Sequence, residues 1–279
     1  MVWMVLNQKE GRCRSLVARC ISMGVLVWAL VLQGNSVHAQ GAPSQDPGAK
    51  KAQMLLDAMV QAMGGDRWLH LQNSYIEGRT SGFYQGKPTG MIGDFYWWHI
   101  FPSQDRIDLS KKHDVVEIFD GRQGWEITYR GKRPLPQDQV DDFLRRRDHS
   151  IETVVKVWMK DPNTMYLYEG QTLAERHLAD QVTLISASND SVTILLDADT
   201  HLPLRRSFQW RDPLYKDKNE EVEEYDDYHT IDGIPTPFTI TRFHNGDETN
   251  QRYVFKAAYN VPLPPDGFDA DALAKKIRK

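Results

Sequence analysis

Histidines, cysteines and paired carboxylates carry most protein chemistry, and in this 279-residue chain their spacing points away from catalysis. Of nine histidines, His38 falls in an amino-terminal leader. The rest are scattered, with neither a His-Glu-x-x-His pair nor a Cys/His ligand spacing, which argues against a zinc hydrolase. Gly-x-Ser-x-Gly, Gly-x-Gly-x-x-Gly and phosphate-binding loop patterns are all missing. Asp226, Asp227 and His229 are close in sequence, yet strand alternation sends Asp226 to one face and the other two to the opposite one. Asp197-x-Asp199 followed by Leu202-Pro203 reads as a turn whose carboxylates cap backbone amides, and Asp232-Gly233-Ile234-Pro235 as a turn and a stiff strand entry. The charge run Lys216–Glu224 reads as a solvated loop and strand start. These patterns lead to the expectation of no catalytic residue, no metal ligand and no cofactor.

The remaining chemistry is that of apolar surface. In Met91–Phe101, Met91, Phe95, Trp97 and Phe101 share one strand face with His99, while Ile92, Tyr96, Trp98 and Ile100 occupy the other. A half-solvated strand has one polar face, so both faces of this one must be covered. Val154, Val155, Val157, Trp158 and Met159 make a helix apolar on more than one side. Met91, Phe95, Trp97, Phe101, Trp125, Val155, Trp158 and Met159 are accordingly the candidate residues for lining or covering an apolar cavity. Methionine suits such a lining because it is flexible and polarizable.

Several elements must position these residues. Residues 1–39 read as a secretory signal peptide. Lys9, Arg12, Arg14 and Arg19 precede the apolar run Ile21–Leu32, and Val37-His38-Ala39 ends it with small residues before Gln40. The run falls short of the roughly 20 residues needed to span a bilayer. Both cysteines, Cys13 and Cys20, lie ahead of it and not at the cleavage point, so the product is not itself a lipoprotein. Removing four basic and one acidic residue from 34 and 38 leaves 30 against 37, a net charge near −7. This balance disfavours nucleic acid as a partner. Residues 40–50 form a flexible leader. A helix with apolar spacing follows over Ala49–Met63 and is closed by Gly64-Gly65.

From Asn73 the apolar period changes to two. Turn signals at Asp120-Gly121, Asn189-Asp190, Asp232-Gly233 and Asn245-Gly246 come at hairpin spacing, which favours sequential antiparallel pairing. Only Pro136–Arg147 and Ser150–Lys160 break the series as helices, the second starting at a Ser150 N-cap. The fold expected is mainly β with helices (α+β): a single curved antiparallel sheet of about nine to eleven strands, half-open barrel in form and closed by helices. It occupies one domain over residues 51–272.

Five ordered motifs carry a resemblance. They are Ala62-Met-Gly-Gly-Asp-Arg-Trp-Leu-His-Leu-Gln-Asn-Ser-Tyr-Ile-Glu-Gly78, Phe119-Asp-Gly-Arg-Gln-Gly-Trp125, Leu196-Asp-Ala-Asp-Thr-His-Leu-Pro-Leu204, Tyr225-Asp-Asp-Tyr-His-Thr-Ile-Asp-Gly-Ile-Pro-Thr-Pro237 and Tyr259-Asn-Val-Pro-Leu-Pro-Pro-Asp-Gly-Phe268. Together the set resembles the bacterial outer-membrane lipoprotein-sorting proteins of the LolA-like superfamily, over roughly residues 50–270. The resemblance implies a half-open barrel with helices as a lid over an apolar cavity. It also implies a non-enzymatic, monomeric periplasmic carrier. The partners would be lipoprotein acyl chains or other envelope lipid, and transfer proteins of the inner and outer membranes. The alternative is a structural or protein-interaction module of the cell envelope without a lipid ligand.

Overall fold

The computed structural model describes residues 46–174 and 176–278. The signal peptide expected over 1–39 lies outside them, as does most of the leader expected over 40–50. Helix α1 spans Pro47–Ala62. It starts early because the Asp46 side chain accepts from the Gly48 amide and Pro47 presets the first helical turn. Ala52, Leu56, Met59 and Val60 form its buried stripe. Gly64 and Gly65 end it at positive φ, and the single turn α2 (Asp66–Leu69) follows.

The sheet then runs outward from its middle. Strands β1 (Asn73–Tyr84), β2 (Lys87–Ile100), β3 (Gln104–Asp108), β4 (Val116–Asp120), β5 (Gln123–Thr128) and β6 (Gly131–Pro134) pair in sequence. Helices α3 (Gln137–Asp148) and α4 (Ile151–Lys156), with a 3-10 turn at Trp158–Lys160, carry the chain from one edge to the other. Strands β7 (Met165–Ala174), β8 (His177–Ile185), β9 (Ser191–Asp197), β10 (Pro203–Arg211), β11 (Lys218–Ile231), β12 (Ile234–His244) and β13 (Asp247–Tyr259) return inward. Strand β13 closes the path by pairing antiparallel with β1. A last helix, α5 (Ala270–Ile277), is capped by Asp269, which accepts from the amides of residues 271 and 272.

This topology corrects the expected half-open barrel of nine to eleven strands. The order is a linear ladder of thirteen, β6-β5-β4-β3-β2-β1-β13-β12-β11-β10-β9-β8-β7. The edges β6 and β7 are not paired to each other, so the sheet is open and closes into no barrel. The physical reason lies in the connection between the edges. Residues 135–164 are occupied by helices that cover a face and cannot supply a hairpin joining β6 to β7. The turns themselves obey local chemistry. Asp232-Gly233 and Asn245-Gly246 place both residues at positive φ, as tight antiparallel hairpins require.

Strand β4 shows how the two faces are covered. Val116 and Ile118 face α5 with Ile127, Ala270 and Leu273, whereas Phe119 faces α3 with Leu135, Val140 and Leu144. On the α3 side, α1 and α4 add a large core in which Leu56, Met59, Val154 and Trp158 meet Val182, Ile194 and Phe208. The two-sided covering expected of Met91–Phe101 holds for its carboxyl-terminal half. There Phe95 is buried, and Trp98 on the other face lies 4.7 Å from Tyr75 and 5.0 Å from the Arg106 guanidinium. It fails at the other end, where Met91 is 73% and Ile92 67% exposed. Strand β3 is only five residues long, and it pairs with Tyr96–Ile100 alone.

Candidate functional site

Between the middle of the sheet and helices α3–α4 lies a cavity of about 650 Å³. Its apolar wall comes from Ile76 of β1, Phe95 and Trp97 of β2, Ile107 of β3, Phe143 of α3 and Ile240 of β12. These side chains share a face because β1, β2 and β3 are in register: Ile76 stands opposite Trp97, and Trp97 opposite Ile107. Phe143 is held in place by stacking on Phe119 at 3.7 Å.

The rest of the lining is ionic, in two clusters. The first ties the helices to the sheet. His99 on β2 faces two carboxylates: Nδ1 is 2.7 Å from Asp105 Oδ1 and Nε2 is 3.2 Å from Glu152 Oε2 on α4. Carboxylates only accept, so both ring nitrogens donate and the ring is an imidazolium. Burial alone would lower the His99 pKa; the bonds to Asp105 and Glu152 override it and lift the value to about 9. Asp105 also accepts from Trp97 Nε1 at 2.9 Å, and Glu152 pairs with Lys156 at 2.6 Å. Arg147 of α3 donates to the Ser103 and Gly121 carbonyls at 3.0 and 2.6 Å.

The second cluster is cationic. Register sets Arg206 of β10 opposite Glu223 of β11, and Glu223 opposite Arg242 of β12. Arg252 of β13 joins diagonally, so one carboxylate takes three guanidiniums: Arg206 at 2.9 Å, Arg242 at 3.0 Å and Arg252 at 2.9 Å. Burial would raise the Glu223 pKa, but Arg206, Arg252 and Arg242 hold it well below the usual carboxylate range. Arg206 also donates to the His149 carbonyl at 2.9 Å, fastening the α3–α4 junction to β10. The Nε atoms of Arg206, Arg242 and Arg252 are buried without an acceptor among the described residues. Arg146 of α3 lines the same cavity and enters no ion pair among the described residues. Burial, then the neighbouring Arg242, pull its pKa down to about 10.

The candidates named from sequence separate in space. Phe95 and Trp97 line the cavity, and Phe101 lines a smaller adjoining pocket with Met63, Trp68 and Tyr259. Val155, Trp158 and Met159 pack into the core under α1. Trp125 packs beneath α5 on the opposite face of the sheet, and Met91 is exposed. The ionic residues were not legible as a site, because they come from six strands and two helices. One signal was present: Arg206 interrupts the apolar face Leu204, Phe208, Trp210. The Lys216–Glu224 run, expected to be solvated, contributes the buried Glu221 and Glu223. Asp197 does cap its turn, accepting from the amides of residues 199 and 200 at 3.1 and 2.7 Å. No group of three or more metal-ligating side chains exists among the described residues, and no described helix is long and apolar enough to cross a membrane.

The sequence matches no protein-family model and no curated protein. Solved structures do match. A DUF1329 family protein from Desulfovibrio piger aligns with TM-score 0.56 and 16% identity, over 81% of this chain and 99% of that one. A putative outer membrane lipoprotein-sorting protein domain from Vibrio parahaemolyticus aligns with TM-score 0.51 and 9% identity, again over 81% and 99%. A LolA superfamily protein from Nitrosomonas europaea reaches 0.47 at 9% identity, over 76% and 94%. The fold therefore resembles that of the DUF1329 family protein and of the putative outer membrane lipoprotein-sorting protein domain. At these identities the likeness is one of fold.

Proposed function

We propose that this protein is a non-enzymatic, extracytoplasmic binding protein or carrier for acyl chains of lipoproteins or other envelope lipids. The observation that carries the reading is the cavity under α3–α4 with its wall of Ile76, Phe95, Trp97, Ile107, Phe143 and Ile240. Its volume falls within the roughly 300–1,000 Å³ of small-molecule sites. Each methylene withdrawn from water there contributes about 0.8 kcal/mol. The basic, apolar and small-residue pattern of residues 1–39 supports export to the periplasm, and the fold resemblance supports the same setting.

Organic extraction of the purified protein with mass spectrometry, paired with titration of a fluorescent fatty acyl probe, tests the reading. Co-purifying lipid and saturable uptake are expected, and Phe95→Asp reduces uptake at least ten-fold while a melting curve checks that the variant is folded. A folded wild type with neither bound lipid nor saturable uptake overturns it. One observation favours a second reading, a protein-interaction module. The open edge strand β7 exposes Met165, Leu167 and Leu173, and an unpaired edge is a template for strand addition. Envelope crosslinks from β7 together with an unfilled cavity would favour it.

A further inference from the structure

The acyl-chain reading accounts for half of the cavity and leaves its cationic half unused. A self-contained buried ion network balances its charges and satisfies its donors, because an uncompensated buried charge is strongly destabilising. This one does neither. Glu223 is shared by three guanidiniums, and among the described residues three buried Nε donors have no acceptor and Arg146 stands beside them unpaired. The remaining acids do not make up the difference. Asp105 and Glu152 are engaged by His99, Arg147 and Lys156. Glu117 lies across the cavity on β4, bonded to Gln139, and burial pushes its carboxyl upward, toward the neutral form. Glu221 reaches His244 through Oε1, and its Oε2 is buried without a donor among the described residues. The arginine Arg206 is 1% exposed, so water does not compensate it as it would a surface charge.

We propose that the ligand of this cavity is an anionic amphiphile, its chain along the Phe95–Ile107–Ile240 wall and its acidic headgroup, carboxylate or phosphate, between Arg146, Arg242 and Arg252. The inference rests on the acyl-chain reading and adds the headgroup to it. Guanidiniums present planar, paired donors that match the oxygens of either acid. An anion there completes the charge balance, accepts from donors that otherwise have no partner, and is shielded from solvent by α3. The neutral acyl ester of the same chain would bury those arginines with nothing in return.

The test uses the mature chain with cis-parinaric acid and its methyl ester, which share one polyene chain and differ in charge. Fluorescence titration at neutral pH and low salt is expected to show the acid binding at least about ten-fold tighter than the ester, the size of one charge-assisted hydrogen bond. In Arg146→Gln the acid-to-ester ratio falls toward one, while Arg146→Lys keeps most of it. Arg146 is in no ion pair among the described residues, so its loss orphans no carboxylate there, and Arg242→Gln provides a second, independent variant read by the same ratio. Inorganic phosphate at millimolar concentration is expected to compete weakly with the acid and not with the ester. Equal binding of acid and ester overturns the headgroup site while the acyl-chain reading stands. Binding of neither overturns both. Phosphate that binds as tightly as the acid shows a free-anion site and also overturns the amphiphile.

Discussion

At the scale of single residues, charged groups are set against one another where α3 and α4 meet the sheet. His99 is the clearest case. Its folded pKa of about 9 lies above the ordinary 6.5, so the stabilisation it supplies is fully present below pH 6.5, declines above it and is lost as pH rises through about 9. Glu152 works in the opposite sense. Burial would raise its pKa, but His99 and Lys156 lower it below 4.5, so its contribution is present above that value and lost as pH falls through the depressed one. The advantage of wild type over His99→Gln should be on the order of 3 kcal/mol at pH 6 and vanish above pH 9, read by urea unfolding across that range. Gly78 makes a different point. A Cβ there would lie 2.3 Å from the Tyr253 carbonyl oxygen and 2.8 Å from the Phe95 ring. Gly78→Ala therefore costs about 1–3 kcal/mol by overpacking, and because Phe95 must shift, acyl-probe affinity should fall with stability.

At the scale of elements, α3 and α4 bear most of the functional argument. The short helix α4 is held by its Ser150 cap, whose Oγ accepts from the Thr153 amide at 3.1 Å, and Ser150→Ala should cost about 1 kcal/mol in denaturant unfolding. The α3–α4 junction is fastened from below by Arg206, through the His149 carbonyl and Glu223. Arg206→Gln should cost about 3 kcal/mol and make residues 137–160 the first site of limited proteolysis, whereas Ser150→Ala should leave the cleavage pattern unchanged. How well such elements could be read from sequence differed by type. The two helices, expected over Pro136–Arg147 and Ser150–Lys160, were legible, the second from its Ser150 cap and its apolar Val154, Val155, Val157, Trp158 and Met159. The short strands Gln104–Asp108 and Gly131–Pro134 were not, because five and four residues are too few for alternation to declare itself. The carboxyl-terminal helix Ala270–Ile277 was missed in the same way, being eight residues long.

At the scale of the whole molecule, thirteen strands form one hydrogen-bonded ladder whose middle joins the first strand to the last. Each half of the ladder thus depends on a pairing between residues about 180 positions apart, as in Ser74 with Tyr259. Thermal unfolding should be a single transition, with calorimetric and van't Hoff enthalpies in agreement; two transitions would show that β1–β6 and β7–β13 fold independently. Local pattern alone determined the strand period, the hairpin turns, the covering helices and the apolar strand faces, since these depend on neighbours within a few positions. It also exposed Phe95 and Trp97 as binding candidates, though mixed with core residues such as Trp158 that share the same apolar character. Tertiary structure alone decided that the sheet stays open, because closure depends on how two edges 30 residues apart in sequence are joined, and here helices join them. It also decided the cationic half of the cavity. Arg206, Arg242 and Arg252 are ordinary surface residue types taken one at a time, and only the register of β10 to β13 places them around a single carboxylate, with Arg146 of α3 lining the same cavity.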